Sequence, residues 1–229
     1  MSKKSKKRKQ NKSAQQAKAV NVKAVNTPHG ADKRKRPIVI SVVSAIVLVA
    51  VILCSILIFN ACQKPEFVEI KVKDYGVITV QLDWDNAPKT CRNFVNLANE
   101  GFYDGLTFHR IIEDFMIQGG DPKANGTGGS DKDIYGEFLA NGHRNTLSHK
   151  RGVISMARSN DYDSASSQFF ICNADSTHLD GQYAAFGKVV NGMEIVDKVT
   201  EDFVRYTTNG VITDKTKQPV IEYIRVVKE

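Results

Sequence analysis

The sequence predicts a mainly β protein, a closed antiparallel barrel behind an N-terminal membrane anchor. Three observations point there. From Phe67 onward, apolar residues recur in short runs, and the first two runs alternate with polar residues. Long Gly- and Asp-rich stretches, such as Lys123 to Lys132 and Ser159 to Ser166, separate later runs. Only two segments carry helical spacing. Many short strands with turn signals and few helices favour a barrel.

The N-terminal third is different in kind. Residues 1–37 hold ten lysines and three arginines against one acid, Asp32, so this segment carries +12 of a net +7 and leaves −5 on the remainder. It is rich in Lys, Gln, Ala and Asn and has no aromatic residue, so it cannot bury enough apolar surface to order itself and is expected to be disordered. The high overall charge is therefore no evidence for a nucleic-acid-binding domain, and no specific nucleic acid is expected. Beside an apolar span, the basic run faces anionic lipid.

Ile38 to Phe59 is 22 residues without a charge. As a helix it would reach roughly 33 Å, close to the thickness of a bilayer core. Lys33, Arg34, Lys35 and Arg36 abut its start and only Lys64 follows closely, which places residues 1–37 in the cytoplasm and the C-terminal part outside. The expectation is thus a single-pass protein of the cell membrane, anchored by residues 38–59, with residues 60–65 as a short linker. Two rivals stand beside it. A cleaved signal peptide fits poorly with so long a basic region and apolar core. A lipid anchor at Cys62 is the other, since Ala61 precedes that cysteine, although Phe59 and Asn60 suit such a signal poorly.

Residues 66–229 are long enough for one domain with a substantial core. Phe67 to Val72 and Val77 to Leu82 read as a hairpin around Lys73-Asp74-Tyr75-Gly76. Pro88 to Glu100 reads as a helix: Pro88 sits in the first turn, Phe94, Leu97 and Ala98 keep helical spacing, and Gly101 follows the end. Further strands are expected over Thr107 to Glu113, Phe115 to Gln118, Gly152 to Ala157, Gln168 to Cys172, Ala185 to Val190 and Val220 to Val227, with a short helix near Met193 to Val199. Cys91 and Cys172 lie in apolar contexts and read as inert core residues, although an exported domain could join them. His143, His149 and His178 fall in loop-like segments without metal-ligand spacing. The Gly126 to Gly129 loop lacks the ending of a phosphate loop, and its glycines read as backbone turns.

The most informative run is Phe108 to Asp121, FHRIIEDFMIQGGD. It sets Arg110 and Gln118 among Phe115, Met116 and other apolar side chains, an arrangement that is costly unless a ligand or partner meets the polar groups. SQFFICN, Ser167 to Asn173, repeats the chemistry with Gln168, Phe169 and Phe170. Apolar walls with a few fixed donors describe a site for an apolar group carrying an amide. Taken alone, Arg110 could be a solvated ion-pair partner and the aromatics ordinary core. His109 should point away from Arg110 by strand alternation and be hydrogen-bonded within the fold.

An ordered set of motifs resembles the cyclophilin-type peptidyl-prolyl cis-trans isomerases. It comprises APKTCRNF (Ala87 to Phe94), GFYDGLTFHRIIEDFMIQGGD (Gly101 to Asp121), GTGG (Gly126 to Gly129), GVISMA (Gly152 to Ala157), SSQFFI (Ser166 to Ile171), LDGQYAAFGKVV (Leu179 to Val190) and GMEIVD (Gly192 to Asp197). The resemblance implies a closed eight-stranded antiparallel barrel capped by two α-helices, with a proline-binding groove on its outer face. It places Arg110 at the catalytic arginine, with Gln118 beside it as the amide that holds the guanidinium. It places Phe115, Met116 and Phe170 on the proline pocket, Leu179 and Tyr183 at its rim, Gln168 among the amides that hold the peptide, and Ala157 and Arg158 on the strand edge that pairs with substrate. Arg158 stands where asparagine is usual. His178 stands where eukaryotic members carry a tryptophan, which implies weak cyclosporin binding at most. Tyr183 stands where they carry a histidine and gives the chain a bacterial look.

The implied reaction is rotation about X–Pro bonds, without cofactor or metal, on proline-containing peptides and unfolded exported proteins at the membrane surface. A membrane-tethered module that binds proline segments without turnover is the alternative. Intact Arg110 favours the enzyme.

Overall fold

An uninterrupted apolar run favours a helix, and residues 46–55 form one, α1, with the side chains from Ile46 to Leu53 exposed. The computed structural model describes residues 46–55 and 66–227. The expected basic tail and linker, and most of the expected span over 38–59, lie outside the described residues. Among the described residues no helix is long and apolar enough to cross a membrane.

In the C-terminal unit, alternation decides the first strand. Val68, Ile70 and Val72 are fully buried on β1 (Phe67–Val72), while Phe67, Glu69 and Lys71 are half-buried. β1 pairs with β2 (Gly76–Leu82) from Phe67↔Gln81 to Val72↔Gly76. Gly76 closes this hairpin at φ 139°, and a Cβ there would meet Ile195 Cδ1 at 2.7 Å.

Helix α2 (Pro88–Asn99) buries Cys91, Phe94, Leu97 and Ala98. Its N-terminus is capped from a distance. The Glu137 carboxylate accepts from Lys89 N at 3.0 Å, Thr90 N at 2.8 Å and the Thr90 hydroxyl at 2.8 Å, supplying acceptors and a negative charge where the helix end offers free N–H groups. The remaining elements follow as β3 (Phe108–Ile112), β4 (Met116–Gly119), β5 (Val153–Met156), β6 (Phe169–Cys172), β7 (Ala185–Asn191), α3 (Met193–Phe203) and β8 (Ile221–Val227). Helix α3 runs past the expected Val199 because Val196, Val199 and Thr200 keep one buried face.

The eight strands form one antiparallel sheet in the order β3-β4-β6-β5-β7-β2-β1-β8. It curls around an aromatic core in which the Phe94 ring lies 5.1 Å from Tyr103 and Phe186 and 5.3 Å from Phe169. The expected closed barrel is corrected here: the sheet is open. The end strands β3 and β8 share no ladder. Between them lie the bridge Thr107↔Val220 and the bonds Phe108 N to Pro219 O at 2.9 Å and Ile221 N to Leu106 O at 2.7 Å. Two physical causes keep the seam short. Pro219, just before β8, has no N–H to donate. The free edge of β3 is covered instead by the 208–212 segment, where Ile111 N donates to Gly210 O at 2.7 Å and Ile212 N to His109 O at 2.9 Å.

The expectation that His109 is hydrogen-bonded within the fold is also corrected. The β3–β4 register shifts between Phe108 and Arg110, so simple alternation fails there. His109 is buried, and neither of its ring nitrogens has a hydrogen-bond partner among the described residues. Burial lowers its pKa, opposed by the charge of Asp121.

Candidate active site

Strand alternation sorts the decisive residues to two faces. Ile111, Ile117 and Phe169 join the core, whereas Met116, Phe170 and Cys172 form a second apolar cluster with Ile112, Phe115, Ala157, Leu179 and Tyr183 around it. The register sets Arg110 opposite Gln118 on β3–β4, and Gln118 opposite Phe170 on β4–β6. Arginine, glutamine and phenylalanine thus come from three neighbouring strands onto one outer surface.

The polar groups form a directed chain. Arg110 donates to Gln118 Oε1 at 3.2 Å, Gln118 Nε2 donates to Gln168 Oε1 at 2.8 Å, and Gln168 Nε2 donates to the carbonyls of Gly128 at 2.7 Å and Gly126 at 3.2 Å. One end is a guanidinium, which only donates; the other is a pair of carbonyls, which only accept. Those ends fix both amide orientations, since flipping either glutamine would set donor against donor or acceptor against acceptor. Burial lowers the Arg110 pKa from its usual value, with the Tyr183 phenol acting the other way. The guanidinium also lies 6.0 Å from the centre of the Phe115 ring.

The apolar groups form a cavity of about 140 Å3 lined by Arg110, Phe115, Met116, Gln118, Ala157, Arg158, Phe170, Leu179 and Tyr183. The Tyr183 ring meets Phe170 edge-on at 5.9 Å. A second, more polar cavity of about 420 Å3 adjoins it and shares Gln118, Ala157 and Arg158; Gln168 and Gly126 to Ser130 line its other side. All ten residues singled out from the sequence therefore meet across these two cavities. His178 lies outside the first but sets its ring 5.6 Å from Phe115.

Sequence reasoning missed what stands behind the pocket. His149 is buried and stacks on Phe170 at 6.1 Å and 15°. Its Nδ1 lies 2.9 Å from Asp180 Oδ1 and its Nε2 lies 3.0 Å from the Ser155 hydroxyl. Burial lowers the His149 pKa, and the hydrogen bond to Asp180 opposes that. His149 and Asp180 are 31 positions apart, and no local pattern pairs them.

The two folded-domain cysteines are free. Cys91 belongs to the inner core and Cys172 to the outer cluster, so the sheet lies between them. Burial pushes the Cys172 thiol up to about 12. Among the described residues no group of His, Cys, Asp and Glu is placed to hold a metal ion.

Residues 67–227 match the family profile described as cyclophilin type peptidyl-prolyl cis-trans isomerase/CLD. The chain belongs to the cyclophilin-type peptidyl-prolyl cis-trans isomerases. It is an enzyme of that family. It is 41% identical over 155 residues to the Schizosaccharomyces pombe peptidyl-prolyl cis-trans isomerase ppi1, a match covering 67% of this chain and 91% of that one. It is 48% identical over 125 residues to peptidyl-prolyl cis-trans isomerase-like 1 of Rhizopus delemar, covering 54% of this chain and 74% of the relative. A crystal structure of a Cryptosporidium parvum cyclophilin-type isomerase, obtained in the presence of the dipeptide Ala-Pro, superimposes with a TM-score of 0.63 at 29% identity, covering 71% of this chain and 99% of the other. These relatives are eukaryotic, and the bacterial character expected from Tyr183 is not shown.

Proposed function

We propose that this isomerase turns X–Pro bonds by aiming the Arg110 guanidinium at the prolyl nitrogen while Phe115, Met116 and Phe170 hold the proline ring. One observation carries the reading: Arg110, tied to Gln118 at 3.2 Å, stands at the wall of an apolar cavity of about 140 Å3. Rotation about the bond faces a barrier of about 18–20 kcal/mol because amide resonance is lost. At the twisted transition state the nitrogen regains its lone pair. A donor aimed there stabilises the twist more than the planar ground state, and that difference is catalysis. The pocket walls exclude water, so the donor acts in a low dielectric. No nucleophile, metal or titrating base is needed.

In this reading Gln118 fixes the guanidinium, and Gln168 carries the chain of hydrogen bonds on to the loop of Gly126 and Gly128. Leu179 and Tyr183 close the rim. β5 ends at Met156; Ala157 N still donates to Gln168 O at 2.9 Å, and in this reading the main chain of Ala157 and Arg158 beyond the strand offers an edge to a substrate strand. Proline-containing peptides are the substrates in this reading, which the related structure obtained in the presence of Ala-Pro supports. His178 offers less apolar area to Phe115 than an indole would, which supports weak cyclosporin binding at most.

The same reading places the domain at the outer surface of a membrane, where exported proteins arrive unfolded and X–Pro isomerisation limits their folding. The charge-free run over 38–59, the exposed apolar side chains of α1 and the +12 tail before it support that topology. Lipidation of Cys62 is the alternative anchor.

The test is an isomerisation assay on X–Pro peptides with wild type and Arg110→Ala. Loss of a charged donor that acts at the transition state should lower kcat/KM about a hundredfold, equivalent to about 3 kcal/mol. A variant retaining more than roughly a third of the wild-type rate would overturn the role given to Arg110. A wild-type rate no better than solvent would favour the binding-module alternative.

A further inference from the structure

Arg158 is a half-buried cation with no carboxylate partner among the described residues. Its guanidinium sits 4.7 Å from the centre of the Tyr183 ring, 4.9 Å from Tyr162 and 5.1 Å from Phe138. Three rings therefore surround one charge, with the negative faces that such a charge favours. The N–H groups are spent on main-chain carbonyls. Nε and an Nη donate to Gln182 O at 3.1 and 3.0 Å, and the other Nη donates to Ser159 O at 2.7 Å and, more weakly, to Asn160 O at 3.4 Å.

These contacts join two separate segments. Gln182 immediately precedes Tyr183, the ring that meets Phe170 edge-on in the proline pocket. Ser159 and Asn160 open the loop whose Ser159 and Ser164 line the larger cavity. Within the loop, Ser159 N and the Ser159 hydroxyl both donate to the Ser164 hydroxyl, at 3.0 and 2.7 Å, while its far end is held by Gly136 N and Asn141 Nδ2, which donate to Asp163 at 3.0 and 2.8 Å, so Arg158 is the tie at its near end. Arg158 itself lines both cavities. A planar fork can bond carbonyls on two segments while its face meets aromatic rings, and a lysine cannot.

We propose that the Arg158 side chain is a positioning residue: it locks the 159–164 loop to Tyr183 and so fixes the cleft between the proline pocket and the adjoining cavity. The proposal rests on the isomerase reading for its effect on turnover, and on geometry alone for its effect on the loop. The side chain bonds the carbonyls of Gln182, Ser159 and Asn160 and not the Arg110–Gln118 chain, so its loss should weaken substrate binding more than chemistry.

The test uses the full chain in mild detergent. In Arg158→Ala, KM for an X–Pro peptide should rise about tenfold while kcat stays within about twofold. Backbone hydrogen exchange should quicken at 159–164 and 182–183 and nowhere else. The vacated cage should then accept free guanidinium, so about 20 mM guanidinium chloride should recover most of the lost affinity and slow the exchange. Arg158→Lys keeps the charge without the fork and should fall between the two; it decides by the same readouts if the alanine variant does not fold. Wild-type exchange in both variants would overturn the proposal, as would a fall in kcat without a rise in KM. An inactive wild type would remove the isomerase reading, yet the exchange measurement would still decide whether Arg158 orders the loop.

Discussion

Gln118→Leu offers the sharpest test of how the arginine is held. The substitution keeps the bulk of the side chain and removes both the acceptor for Arg110 at 3.2 Å and the donor to Gln168 at 2.8 Å. A hydrogen bond to a charged group contributes about 1.5–3 kcal/mol when buried. Arg110 is only half-buried, so solvent reduces the contribution to about 1–2 kcal/mol, at and below the bottom of that range. If Gln118 serves to aim the guanidinium, that loss falls on the transition state and lowers kcat about five- to thirtyfold. Gln168→Leu should cost less, about two- to fivefold, because the carbonyls of Gly126 and Gly128 line an open cavity and water replaces the amide.

Gln118→Glu separates aim from mere occupancy. A carboxylate still accepts from Arg110 and pairs with it more strongly. It can no longer donate to Gln168, so Gln168 must flip and set its own oxygen against the carbonyls of Gly126 and Gly128. The new negative charge also stabilises the guanidinium in the ground state, so the variant should be slower than wild type despite a stronger contact with Arg110. Exchange NMR on a short X–Pro peptide, with urea melts to confirm folding, gives the rates. Full kcat in Gln118→Leu, or a faster enzyme in Gln118→Glu, would refute the directed chain as the means by which Arg110 is held.

Two further outcomes are expected. His109 and His149 both have folded-state pKa values lowered by burial, so the unfolded chain binds more protons once pH falls below about 6.5, and stability should be complete above that pH and decline below it, by at most about 1.4 kcal/mol per pH unit for each histidine; thermal melts from pH 7.5 to 5 that show no decline, or a decline unchanged in His149→Gln, would contradict the assignment. Protease added to cells with a permeable wall should remove the domain after about Lys64 and spare an epitope before Lys33, and high salt should not release the protein from membranes; protection of the domain would reverse the orientation, and fatty-acid labelling lost in Cys62→Ser would establish the lipid anchor.

What the sequence made legible is what periodicity can carry. Val68, Ile70 and Val72 announce β1 because a period of two leaves one face buried, and Pro88, Phe94 and Gly101 announce α2 by its start, face and end. Arg110, Phe115, Met116, Gln118, Gln168 and Phe170 were legible because FHRIIEDFMIQGGD and SQFFICN keep polar groups inside apolar runs, where a strand that only packs would not need them; Ala157, Arg158, Leu179 and Tyr183 rested on the family resemblance alone. Alternation then explains why Phe169 faces the core and Phe170 the pocket, although the two are adjacent.

What stayed hidden depends on pairing between distant segments. Nothing local in Thr107 or Val220 says that their bridge stands alone, or that Gly210 and Ile212 take the edge of β3 that a closed barrel would use. The bulge at His109 is a mismatch in length between two strands, and neither strand shows it by itself. His149 reads as a loop histidine until Asp180 and Ser155 are brought to its two nitrogens. The His149 contacts lie against a pocket residue, Phe170, with a consequence for substitution. Under the proposed mechanism the half-buried Arg110 faces the substrate, and its replacement should affect turnover with little effect on the fold. Changes at His149 or Ser155 should move Phe170 and the fold together, because one ring there both stacks on the pocket wall and satisfies two buried hydrogen bonds.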